Sequence, residues 1–170
     1  MTKVTSLLLL FILIFSIAGC GKVDDNSLYS DAKKDIQEGK YLDALNTFRK
    51  LTAEYPNSHH MVSAKFEMGK LYQGNVIPGI SKVDSYKESI NLYTDVYTNF
   101  PDSVEAVNAL FMIGFIQANE LQDLDAAKNS YNEFIARYPD TELAVSARAE
   151  LENLGKSPEQ ILQEKVNGSK

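Results

Sequence analysis

Only a handful of side chains in this sequence could do chemistry on another molecule unaided. Cys20 is the sole cysteine of the 170 residues. Small residues precede it, which suits a peptidase that tolerates little bulk on the departing side, and its thiol is a group that could carry a lipid. His59 and His60 are the only two histidines. They fall where a helix begins, adjacent helical side chains diverge, and no carboxylate stands at ligand spacing, so the pair does not read as a metal site. Asp123 and Asp125 flank a turn, but the other positions of a calcium-binding loop are unfilled, which leaves a solvated loop. The sequence holds no GxSxG elbow, no GxxxxGK[ST] phosphate loop, no HExxH and no thiol after Cys20. No catalytic residue, metal or cofactor is expected from it, and binding is the function class left.

The residues before Cys20 say what its thiol is for. Lys3 is followed by an uncharged run from Val4 to Ala18, rich in Leu, Ile and Phe. That run is shorter than the roughly 20 apolar residues of a spanning helix and suits the core of a secretory signal peptide. It ends in Ile17-Ala18-Gly19-Cys20, which resembles the lipobox of bacterial lipoproteins. The resemblance implies removal of residues 1–19 and acylation of Cys20 with chains such as palmitate. An uncleaved anchor or a plain secretory leader fits less well, because the apolar run is short and a polar stretch follows it. By resemblance to the enterobacterial sorting rule, Gly21 after the cysteine favours the outer membrane, whereas Asp24 and Asp25 leave export to the cell surface open. Residues 20–27 read as lipidated N-terminus and linker.

Composition bounds the rest. A chain 44% hydrophobic and 24% charged can bury one ordinary core. Its 17 basic against 23 acidic side chains give a formal charge of −6, without the basic stripe that nucleic acid requires.

Three phrases, "EYPNS", "NFPDS" and "RYPDT", punctuate the chain at 54–58, 99–103 and 137–141. Read backwards from their prolines, "YLDALNTFRKLTAEYP", "YKESINLYTDVYTNFP" and "LDAAKNSYNEFIARYP" match column by column. A small residue stands at Ala44, Ser89 and Ala127, an aromatic four later at Phe48, Tyr93 and Tyr131, and an apolar residue three beyond at Leu51, Val96 and Phe134. These offsets share one helical face, and proline ends each helix by disfavouring the α conformation in the residue before it. Forwards from the prolines a second helix follows, with Val62, Val107 and Val145, then Ala64, Ala109 and Ala147, then Met68, Ile113 and Leu151 in register. Asn57-Ser58, Asp102-Ser103 and Asp140-Thr141 can cap it, with Asp102 and Glu105 at capping-box spacing. Gly69 and Gly114 sit mid-helix, where glycine is unfavourable by about 1 kcal/mol against alanine, so close helix packing is expected there. A further helix from about Ser27 to Glu38, closed by Gly39, precedes the first joint. Paired helices of this kind bury their apolar faces only by stacking.

These columns resemble tetratricopeptide repeats, best over Gly69, Tyr72, Ser89, Tyr93 and Pro101 and over Gly114, Ala127, Tyr131 and Pro139. The fold class expected is all-α, an antiparallel helix-hairpin solenoid over residues 28–156, followed by a short C-terminal helix and tail at 157–170. The usual tryptophan is absent, Asp31 replaces an apolar residue, and "GNVIPGISKVD" at 74–84 lengthens one turn. In such arrays the first helix of each pair lines a groove, which the resemblance maps onto Ser63, Phe66, Lys70, Asn108, Phe111, Phe115 and Asn119. The same rings read first as core between adjacent helices, and the 74–84 insertion is a second candidate surface.

Repeats, lipobox and YP(D/N)(S/T) joints together resemble the BamD/YfiO-type outer-membrane assembly lipoproteins and the repeat domain of the Tol-Pal-associated YbgF/CpoB family. The resemblance implies a non-enzymatic scaffold, anchored by lipid to the periplasmic face of the outer membrane, whose partners are envelope proteins or peptides. β-Barrel assembly is the specific role implied. Coordination of the envelope during division, or service as accessory subunit of a cell-wall enzyme, are the alternatives.

Overall fold

The structure, a computed structural model, describes residues 23–168; the expected leader, Cys20 and Gly21 lie outside them. Among the described residues eight α-helices follow one another: α1 Asp25–Gln37, α2 Tyr41–Glu54, α3 Met61–Gln73, α4 Lys82–Asn99, α5 Val104–Phe115, α6 Leu124–Arg137, α7 Glu142–Asn153 and α8 Pro158–Gly168. One π turn, Ile116–Glu120, prolongs α5, and no strand occurs among the described residues. From α1 to α7 each successive pair of helices packs together, and α3 also meets α5. That is the stacked hairpin solenoid expected, with α1/α2, α3/α4 and α5/α6 as hairpins and α7 closing the stack.

The columns become three linked cores. Ala44, Phe48 and Leu51 meet Ala32, Ala64 and Met68; Tyr93 and Val96 meet Ala109 and Ile113; Tyr131 and Phe134 meet Ala144 and Ala147. The aromatic column, Phe48, Tyr93 and Tyr131, is wholly buried. The mid-helix glycines have the reason anticipated. A Cβ on Gly69 would lie 2.5 Å from the Tyr93 ring, and one on Gly114 would lie 2.8 Å from that of Tyr131.

Several local expectations change. The helix before the first joint starts at Asp25, with Asp24 accepting from the Ser27 amide as its cap, so the last residues of the expected linker belong to the folded body. Of the three joint caps only Ser103 accepts from its helix, at the Ala106 amide. Thr141 donates to the Tyr138 carbonyl, and Ser58 accepts from the His60 amide, ahead of α3. Glu105 closes no capping box; it accepts from the Ser63 hydroxyl across the α3–α5 contact. Asp123 is a cap, accepting from the Ala126 amide. Val62 and Val107 pack on the cores, but Val145 is 68% exposed. Gly39 closes α1 at a φ of +73° as expected.

Candidate functional site

The face shared by α1, α3 and α5 is the surface that the repeat pattern nominates for binding. Three residues before Ala32, Gly69 and Gly114 stand Tyr29, Phe66 and Phe111. All three rings are half-buried against the aromatic of the next helix, with centroids 5.7 Å apart for Tyr29 and Phe48, 5.3 Å for Phe66 and Tyr93, and 5.8 Å for Phe111 and Tyr131. Phe111 also meets Phe134 edge-on at 5.7 Å. Phe66 and Phe111 thus serve first as hairpin packing. Tyr29 completes their column, and its spacing to Ala32 was the signal for it.

Lys70 is exposed, with its ammonium 2.9 Å from Glu67 and 5.9 Å from the Phe66 ring. Lys33 of α1 reaches the other Glu67 oxygen at 2.7 Å. Burial pushes the Glu67 pKa up, but hydrogen bonds and charges from Lys33 and Lys70 outweigh it and hold the carboxyl below its usual value. Lys33 and Glu67 were missed by the repeat pattern, because a cross-hairpin ion pair leaves no periodic trace. Asn108 and Asn119 turn their amides to the Val104 and Phe115 carbonyls of their own helix, at 2.9 and 3.1 Å. Phe115 is half-buried without a ring partner among the described residues. The structure therefore gathers Lys33, Phe66, Glu67 and Lys70 into one patch and puts Asn108, Phe115 and Asn119 on the neighbouring helix and its π turn.

The 74–84 insertion is anchored rather than free. Ile77 is buried in the first core with Val76 and Ile80 against it, and Ser81 accepts from the Asp84 amide to start α4. The first described residues are stitched down. The Tyr55 hydroxyl donates to the Val23 carbonyl at 2.7 Å, Ser58 donates to Asp25 at 2.6 Å, and His60 meets Asn26 at 3.0 Å while stacking on Tyr29 at 4.2 Å. The histidines do not diverge: they precede α3, and their rings lie 3.8 Å apart. Burial and the His59 charge hold the His60 pKa below its ordinary value. No helix among the described residues is long and apolar enough to cross a membrane.

The family model "YfiO: Outer membrane lipoprotein" matches residues 22–157. Among curated proteins none matches. A solved tetratricopeptide repeat protein from Parabacteroides merdae is similar at 13% identity with a TM-score of 0.33, over 76% of this chain and 59% of that one. The chain thus spans less than two thirds of that neighbour's length.

Proposed function

Since the chain belongs to the YfiO family of outer membrane lipoproteins, we propose that it is a scaffold held to the periplasmic face of the outer membrane by acyl chains on Cys20, where it binds other envelope proteins during β-barrel assembly. Several acyl chains, each CH₂ contributing about 0.8 kcal/mol, give lasting attachment. The observation that carries the reading is the face of α1, α3 and α5. Exposed Lys70 and Asn119 flank half-buried Phe66, Phe111 and Phe115, an arrangement of aromatic anchors and polar rim suited to an extended peptide or partner helix.

Photocrosslinkers at Lys70 and Asn119 in the native envelope, read by mass spectrometry, test it. Adducts with β-barrel assembly subunits are expected; adducts with Tol components would move the protein to the division-linked role. Cys20→Ala should release it from the membrane fraction, and unchanged membrane attachment would refute the anchor.

A further inference from the structure

Between the π turn that prolongs α5 and the joint of α7 with α8 lies a cleft of about 450 Å³. Two carboxamides on its wall have spent their donors and kept their acceptors. Asn119 gives its NH₂ to the Phe115 carbonyl, and Gln122 gives its own to the Ala118 and Asn119 carbonyls. Each donation fixes which end of the carboxamide is oxygen, so Oδ1 of Asn119 and Oε1 of Gln122 are the ends left over. Neither accepts a hydrogen bond among the described residues. Glu150 of α7, on the same cleft, is half-buried and makes no hydrogen bond or ion pair among the described residues. Lys156 also lines the cleft, but its ammonium is held by Glu164 at 2.6 Å.

A half-buried carboxylate beside two idle amide oxygens asks for a donor that carries positive charge. A carboxylate guest would be repelled by Glu150, and a neutral amide would leave its charge uncompensated. A calcium ion fits poorly, since it takes about six to eight oxygens and Glu150 is the lone carboxylate among the described residues of the cleft. Of the two cationic side chains the guanidinium suits the walls better. Its five N–H donors form a rigid fork that can meet acceptors carried by different elements, whereas a lysine ammonium is a compact, strongly hydrated charge. Leu154 and Ile161, on the same cleft, offer apolar surface to the methylene stem.

We propose that this cleft is a docking pocket for an arginine side chain of a partner polypeptide. Asn119 also borders the α1/α3/α5 face, but a free arginine derivative needs only the cleft, so its failure to bind would leave the reading of that face untouched. Nα-acetyl-arginine amide titrated into the full-length protein in detergent micelles is the test, followed by amide NMR shifts at Asn119, Glu150 and Asn153. The citrulline analogue, an uncharged isostere, and the lysine analogue are the controls. Saturable shifts with the arginine compound, none with citrulline and several-fold weaker binding of lysine are expected. Glu150→Gln, which keeps shape and helix propensity, should weaken arginine binding by about tenfold. Glu152→Gln removes the same charge from an exposed side chain of α7 that is not on the cleft, and should leave binding unchanged. Absence of saturable shifts, an equal response to citrulline or lysine, unchanged affinity in Glu150→Gln, or an equal loss in Glu152→Gln would each overturn the proposal.

Discussion

The hairpins α3/α4 and α5/α6 are built on one plan and finished differently. Both seat a buried tyrosine against a glycine and set a phenylalanine, Phe66 or Phe111, beside it. In α3/α4 the polar ends are tied off. Tyr93 has Gln73, Ser89 donates to the Gly69 carbonyl at 2.9 Å, and Glu67 accepts from Lys33 and Lys70. In α5/α6 the same places hold Ala118, Ala127 and Met112, and Tyr131 is left without a partner. The difference teaches that apolar columns make the repeat, while polar satisfaction is decided hairpin by hairpin.

Spacing differs too. The small residue of the second helix follows its partner by 12 residues from Ala32 to Ala44 but by 13 from Gly114 to Ala127. The left-handed turn residues, Gly39 and Gln122, each precede that small residue by five, so the added residue lies between Gly114 and Gln122. The Ile116–Glu120 π turn occupies that interval and takes it up.

The comparison can be broken most forcefully at the glycines. Gly69→Ala and Gly114→Ala should each destabilise by about 1–3 kcal/mol in urea unfolding, overpacking exceeding the gain of about 1 kcal/mol in helix propensity. The loss should be greater at Gly69, where the Tyr93 ring is tethered by Gln73 and approaches more closely; a larger loss at Gly114 would contradict the reading of that ring as less constrained. Next come the phenols: Tyr93→Phe should lose about 1 kcal/mol, whereas Tyr131→Phe should be neutral or stabilising. Equal losses by thermal unfolding would mean that Tyr131 has a partner after all.

Glu67 sharpens the contrast through pH. Its folded pKa lies below its ordinary value of 4.5, so its contribution is present above the unfolded pKa and is lost as pH falls through the folded one. Glu67→Gln should therefore be less stable than the parent at neutral pH, with the gap closing in acid below that range. Met112→Gln at the equivalent position should show no such closing. A gap independent of pH would assign the effect to packing. The smallest effect expected is at the small column, where Ser89→Ala should change stability by less than about 1 kcal/mol, since the Gly69 carbonyl also belongs to a helix.

Much of this was legible before any coordinates. Aligned prolines located the joints between α2 and α3, α4 and α5, and α6 and α7, because proline acts on the residue beside it. Gly69 and Gly114 announced a close approach, because a mid-helix glycine has few other reasons to persist. The expected groove rings were less legible: Phe66 and Phe111 carry an identical pattern whether they face a partner or the next helix. The failure of Ser58 to cap α3, the folded start at Asp25 and the stacking of His60 on Tyr29 were not legible, since each depends on where a second segment lies.

What the sequence by itself determined is local and periodic. The helices, their joints, and the small and aromatic columns follow from backbone constraints and from the 3.6-residue turn. The tertiary structure alone decided which polar groups meet. A single added residue swings a helical side chain by about 100° around its axis, so the pairing of Lys33 with Glu67 and the isolation of Tyr131 depend on how the helices are rotated against each other. That rotation is set by the packing of whole hairpins, and no column of one hairpin records it.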